Sequence, residues 1–203
     1  RPWLMHGTSL KDPSGANPII QVTRLPLEGL CIVELKVHGD ERGFFVERFN
    51  ATEFEKHGLP TRFVQDNHSR SAPGVLRGLH YQHSPAQGKL VGAAPGRIWD
   101  VAVDIRAGSP TFGKSYALEL SDLNGKLLWI PGGFAHGFCV LGDQPADVIY
   151  KVDQIYDPSK EGGIQWNDPE LAVQWPLSNP TISGRDQALA SFAEYREKPV
   201  FAI

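Results

Sequence analysis

The apolar residues of this chain fall into short runs of four to eight, broken at close intervals by Gly, Pro, Asn and Asp. IIQVTRL, CIVELKV, GFFVERF, RFVQDN, IWDVAVDI, SYALEL, LLWI, GFCVL and DVIYKV are rich in β-branched and aromatic residues and often alternate. Strands of this kind at roughly ten-residue spacing imply an all-β sandwich or barrel, jelly rolls included. The 21 Gly and 16 Pro suit the many turns such a fold needs. Two segments read as short helices. ATEFEKHG carries Thr52 as a cap, Glu55 three residues on and Gly58 as a stop, and DQALASFAEY near the C-terminus is the second.

With 203 residues there is room for one domain with a sizeable core, read here over residues 18–203. Residues 1–17 are polar and rich in Gly and Pro, and the only Met is Met5, so they read as a flexible arm or tag. A net charge of −3 points to neither nucleic acid nor an anionic membrane, so an anionic ligand needs a local basic cluster. No apolar run approaches the ~18 residues of a membrane span. Cys31 and Cys139 lie in apolar runs with neither a disulfide framework nor metal spacing, and read as buried, reduced thiols in a cytoplasmic protein.

Two segments carry chemistry. GVLRGLHYQHSPAQGKL contains His80, Tyr81, Gln82, His83, Gln87 and Lys89; GKLLWIPGGFAHGF contains Gly125, Pro131, Gly133 and His136. Together they resemble the two motifs of the cupin superfamily, a double-stranded β-helix or jelly-roll barrel. Metal-binding cupins bring His-x-His and Glu from the first motif and one His from the second. Here Gln82 holds the second ligand position, and Ala86 or Gln87 falls at the Glu position. Zinc and iron sites normally need three or four imidazole, thiolate or carboxylate ligands, so His80 and His136 are too few and no metal is expected.

A histidine titrating near neutrality suits proton abstraction beside a carbonyl, given a carboxylate to orient it, a cation at the oxygen where charge collects and an acid on the opposite face. His80 fits as base and Lys89 as cation. Tyr150 or Tyr156 fits as acid, and Asp104, Asp168 or Asp186 as orienter.

Further segments run in order: GDERGFFVE (39–47), FVQDNHSRS (63–71), VLRGLHYQ (75–82), QGKL (87–90), DVAVDIRAGSPTFGK (100–114), WIPGGFAHGF (129–138), YKVDQIYDPSKEGGIQWND (150–168) and VQWPLSNPTISGRD (173–186). Over about residues 20–192 the chain resembles the dTDP-4-dehydrorhamnose 3,5-epimerase family. That resemblance implies a cofactor-free isomerase acting at C3 and C5 of dTDP-4-dehydro-6-deoxy-D-glucose. Position by position it implies His80 as base, Asp186 as its partner, Tyr150 as acid and Lys89 as enolate cation. Arg77 would bind the diphosphate or sugar, and Arg185 keeps a positive charge beside Asp186. Arg42, Glu47, Gln65 and Asn67 would bind the nucleotide end, Phe45 and Tyr156 would stack on thymine, and His136 and Glu161 would line the sugar site. It also implies a homodimer with exchanged N-terminal strands, IIQVTRL being the available segment.

Plainer readings stand beside these. Arg42, Glu47 and Arg77 could be surface ion pairs, Asp186 the cap of the helix after it, Lys89 an exposed strand lysine and Tyr156 a packing aromatic. Asp66, Asp104 and Asp168 read as structural. Three positions depart from the family pattern: Arg185 for Lys, Gly132 for Glu and Gly92 for Arg, the last expected to remove a cation near the pocket. Relatives acting on one carbon share nearly all these motifs. A metal-dependent cupin and a non-catalytic nucleotide-sugar-binding cupin are the readings from other classes.

Overall fold

The computed structural model describes residues 18–203; the arm expected over residues 1–17 lies outside them. The first strands are β1 (Ile20–Arg24), β2 (Cys31–Leu35), β3 (Val37–Asp40) and β4 (Gly43–Val46), followed by helix α1 (Ala51–Lys56). Then come β5 (Gln65–Ser71), β6 (Leu76–Gln82), β7 (Lys89–Ala93), β8 (Arg97–Asp104) and β9 (Ser115–Ser121). β10 (Lys126–Ile130), β11 (Phe134–Val140), β12 (Ala146–Val152), β13 (Glu161–Gly163), α2 (Gly184–Gln187) and α3 (Phe192–Glu197) complete the chain.

Two antiparallel sheets face each other, ordered β1-β2-β10-β7-β12-β5 and β13-β6-β11-β8-β9. Alternation along the strands puts one set of apolar residues between them. Val91, Leu128, Ile130 and Val148 from the first sheet meet Ile98, Ala102, Phe134 and Phe138 from the second. The outer faces are covered as well. Phe54 of α1 joins Leu90, Leu127 and Trp129 behind the six-stranded sheet, and Phe192 and Tyr195 of α3 join Leu79, Val101 and Val103 behind the other. Both cysteines are buried and free, as their apolar runs imply.

The helices differ from expectation for local reasons. Asn50, not Thr52, caps α1: its backbone is extended and its side chain accepts from Glu53 N at 3.2 Å. Gly58 stops that helix as expected, with φ +65. DQALASFAEY does not form one helix. Ala190 forms a bridge with Ile164, its carbonyl accepting from Gln165 N, so the helix must break there. Ser191 then starts α3 with a full capping box to Glu194. RFVQDN contributes to β5 only from Gln65, and β5 runs on through polar HSRS because β12 supplies its backbone partners from Val152 to Ala146.

Asp104 is structural, as read from sequence. It is fully buried and accepts from Arg106 N and Nε, Ser109 Oγ and Thr111 Oγ1. Burial alone would raise its carboxyl, but these bonds outweigh it and hold the pKa at about 2, against 3.8 for a free side chain. Its stabilising effect is therefore present above pH 3.8 and lost as pH falls through about 2. Asp104→Asn leaves a half-buried Arg106 without its counter-ion and costs about 3 kcal/mol. Urea melts at pH 7 check this; an unchanged midpoint refutes it.

Candidate active site

The inner face of the barrel gathers the chemistry. His80 on β6 and His136 on β11 lie directly opposite each other across the β6–β11 pair. Lys89 opens β7 on the face that carries Val91, and Tyr150 on β12 pairs with Val91 and packs on the inner core. Asp186 enters from α2. Its Oδ1 lies 2.7 Å from His80 Nε2, and its Oδ2 accepts from Gly78 N at 3.0 Å.

Asp186 does not cap the following helix. Ser183 does that, accepting from Asp186 N, which frees the carboxylate to face β6. Burial pushes its pKa up, but the bonds from His80 and Gly78 outweigh this, and the carboxyl ends below its usual range. An ionised carboxylate has no proton to give. The bond therefore keeps hydrogen on His80 Nε2 and leaves Nδ1 as the basic nitrogen. Of the three candidate orienters, Asp186 alone makes this contact. Asp104 is engaged as described, and Asp168 accepts from Glu170, Leu171 and Phe192 backbone N–H groups.

Lys89 is not an exposed strand lysine. Enclosure in the barrel lowers its ammonium from 10.5 to about 8, partly offset by Glu161 and Asp100. Tyr150 is pushed up by burial and by Glu161, against weaker opposing effects of Arg77 and a hydrogen bond with Asn67, so its phenol keeps its proton at neutral pH. Glu161 is the common neighbour: its charge acts on Lys89 and Tyr150. It also accepts from Tyr156 Oη at 2.5 Å and pairs with Arg185 at 2.6 Å. Arg77 and Arg185 flank a cleft of about 330 Å³ that reaches His80 and Asp186. Arg77 itself donates to Ser71 Oγ rather than to a carboxylate.

Sequence reasoning missed Asp100. It is fully buried on β8, its Oδ1 lies 2.8 Å from His136 Nε2, and its Oδ2 has no partner among the described residues. It stands diagonal to His136 across the β8–β11 ladder, a proximity that no local motif signals. The amides at the cupin ligand positions are also engaged. Gln82 and Gln87 bond backbone groups of residues 154–157, and among the described residues no three His, Cys, Asp or Glu side chains gather as a metal needs.

Arg42, Phe45 and Glu47 are not brought to this cleft within the chain. They belong to the β3–β4 hairpin, which packs near Ala93 and Lys126, the end of β7 remote from Lys89. Arg42 pairs with Asp40, Glu47 accepts from Asn50, and Phe45 is 68% exposed. Gln65 and Asn67, bonded to each other, lie on β5 beside Tyr150 and the Tyr156 backbone. β1 pairs with β2 of the same chain.

The loss expected from Gly92 does not fall in the pocket. Gly92 lies on the outer face, opposite to Lys89, and a Cβ there would meet Arg48 Nη2 at 2.7 Å. A guanidinium from the segment after β4 already fills that space. A Cβ on Gly132 would meet Ala86 at 2.7 Å, so glycine lets the QGK loop close on β11's approach. Gly88 is equally confined: its N–H donates to Asp153 at 2.7 Å, and the Trp129 ring covers the space a side chain would need.

A jelly-roll barrel that holds a carboxylate-oriented histidine, an enclosed lysine and a protonated tyrosine on its inner face defines a cupin-type isomerase working by proton transfer. The chain belongs to the dTDP-4-dehydrorhamnose 3,5-epimerase family, whose model matches residues 24–194. It is 52% identical over 169 residues to the dTDP-4-dehydrorhamnose 3,5-epimerase of Shigella flexneri, covering 82% of this chain and 93% of that protein. Identity to the Pseudomonas aeruginosa enzyme of the same name is 51%, covering 86% and 97%. The structure of the Legionella pneumophila dTDP-6-deoxy-D-glucose-3,5-epimerase in complex with dTDP-4-keto-L-rhamnose superposes with a TM-score of 0.86 at 46% identity, covering 91% of this chain and 98% of that one.

Proposed function

We propose that this chain epimerises C3 and C5 of dTDP-4-dehydro-6-deoxy-D-glucose to give dTDP-4-dehydro-L-rhamnose. The observation that carries this reading is the 2.7 Å Asp186–His80 bond beside a cleft flanked by Arg77 and Arg185. His80 Nδ1 takes the proton from C3. The C–H electron pair moves into the C3–C4 bond as the carbonyl pair moves onto the C4 oxygen, where the Lys89 ammonium stabilises the enolate. Tyr150 Oη then gives its proton to C3 from the other face and the carbonyl re-forms. His80 loses its proton to solvent, Tyr150 regains one, and the same cycle repeats at C5. Only protons move, so no cofactor enters.

Arg77 and Arg185 hold the diphosphate, Tyr156 stands against the thymine, and His136 and Glu161 line the sugar. Gln65 and Asn67 stand at the nucleotide end. Arg42, Phe45 and Glu47 reach that end from the hairpin of a second copy of the chain. A homodimer is supported by this hairpin, whose exposed Val37 and Phe45 leave two strands with little core of their own. The setting is cytoplasmic. Among the described residues no helix is long and apolar enough to cross a membrane.

Incubation of dTDP-4-dehydro-6-deoxy-D-glucose with the protein in heavy water, followed by NMR, tests the reading. Deuterium at C3 and C5 is expected. Label at C3 alone makes the chain a mono-epimerase, and no label at either carbon refutes the proposal.

A further inference from the structure

Beyond Val152 the chain leaves the six-stranded sheet and carries Tyr156 to Glu161 and to Arg185, which lines the cleft. The backbone groups of residues 154–157 then have no strand beside them, yet four of them are satisfied by side-chain amides. Gln87 Nε2 donates to the Gln154 carbonyl at 2.8 Å. Gln82 Nε2 donates to the Ile155 carbonyl at 3.1 Å, and Gln82 Oε1 accepts from Asp157 N at 2.9 Å. Gln65 Oε1 accepts from Tyr156 N at 3.0 Å.

A carboxamide offers the same donor and acceptor as a peptide group. Gln82, 2% exposed, thus bonds the residues on either side of Tyr156 as a neighbouring strand would. The sheets do not depend on these bonds, since β6 pairs with β11 and β13, and β12 with β5 and β7. The bonds serve the loop alone, and the loop presents the Tyr156 ring, 43% exposed, with its hydroxyl on Glu161.

We infer that Gln82 is a positioning residue that, with Gln87 and Gln65, fixes the Tyr156 ring as a pre-set wall for the base of the nucleotide. This rests on the reading of Tyr156 as a nucleotide contact. A held wall spares the ligand the cost of ordering the loop on binding. An apolar residue at 82 leaves Ile155 O and Asp157 N unpaired, so the loop moves to find water. Binding then weakens, while His80, Lys89 and Tyr150, which sit on paired strands, still turn over what binds.

The test is a double-mutant cycle between Gln82→Met and Tyr156→Ala, reading kcat, KM for the sugar nucleotide and Kd for dTDP by calorimetry. Gln82→Met is expected to raise KM and the dTDP Kd by about tenfold, the effect of losing one binding anchor. It should change kcat by less than about twofold. In the Tyr156→Ala background the same change should have almost no further effect, because there is no ring left to position. If Gln82→Met fails to fold, Gln87→Met, which frees only the Gln154 carbonyl, is measured in both backgrounds with about a threefold effect expected in the first alone. An undiminished effect in the Tyr156→Ala background, or a fall in kcat with KM unchanged, overturns the inference. Wild-type protein that binds dTDP without exchanging sugar protons sinks the epimerase reading alone, and the Kd comparison still decides the role of Gln82.

Discussion

His80→Asn lowers kcat by about 10²–10⁴, the usual contribution of a general base. The loss has a specific form. Asn is too short to put its amide where His80 Nε2 stands, 2.7 Å from Asp186 Oδ1. Asp186 Oδ2 keeps its bond from Gly78 N, however, so the α2 segment stays docked and the melting temperature moves by only a few degrees. Affinity for dTDP is unchanged, since Arg77, Arg185 and Tyr156 are untouched. Deuterium incorporation at C3 and at C5 is lost together if one base serves both carbons. Exchange surviving at C5 alone assigns that carbon to another base, and full turnover by the variant would falsify the role of His80.

The rate also falls as pH rises through about 8, the value to which burial lowers Lys89. The sign follows from chemistry: the ammonium, not the amine, stabilises the C4 oxyanion, so activity belongs to the protonated form. Stability moves the other way. Between about 8 in the fold and 10.5 in the open chain the unfolded state binds more protons, so folding becomes more favourable as pH rises across that window. The full gain is at most about 3 kcal/mol. A pH at which the enzyme grows slower yet harder to melt is an uncommon pairing, and kcat profiles beside thermal melts from pH 6.5 to 10 detect it. Lys89→Met removes the alkaline limb and lowers kcat by about 10²–10³ below about pH 8, the gap narrowing above it as the wild type loses its ammonium. A limb that persists in Lys89→Met belongs to another group.

Much of this site was legible because its parts sit in local motifs. RGLH, QGK, IYK and GRD each place one side chain of the cluster described above, and the strands between them follow from alternation. Other features depend on contacts distant in sequence. Asp100 meets His136 only through the pairing of β8 with β11, 36 residues apart. Gln82 reads as a vanished metal ligand, while its partners are backbone atoms 73 and 75 residues on. DQALASFAEY has good helical spacing, yet Ala190 is claimed by Ile164. Gly92 reads as a lost cation, but the strand faces outward there and Arg48 occupies the space. Arg42, Phe45 and Glu47 fit the family's nucleotide-binding pattern although a single chain does not bring them to the cleft. In each case the missing information is which residues tertiary pairing brings side by side.

The crowding around Gly88 bears on how such an enzyme can diversify. The indole of Trp129 and the carboxylate of Asp153 close the space over that residue, so any side chain there displaces the start of β7 and the ammonium beside it. A conservative change at a position that touches no substrate therefore acts as a change in chemistry. The Tyr156 and Arg185 side chains carry no such restriction, being partly open to solvent. Changes in nucleotide affinity can accumulate at those two positions while the proton-transfer floor keeps its geometry, which gives the chain one constrained layer and one permissive one.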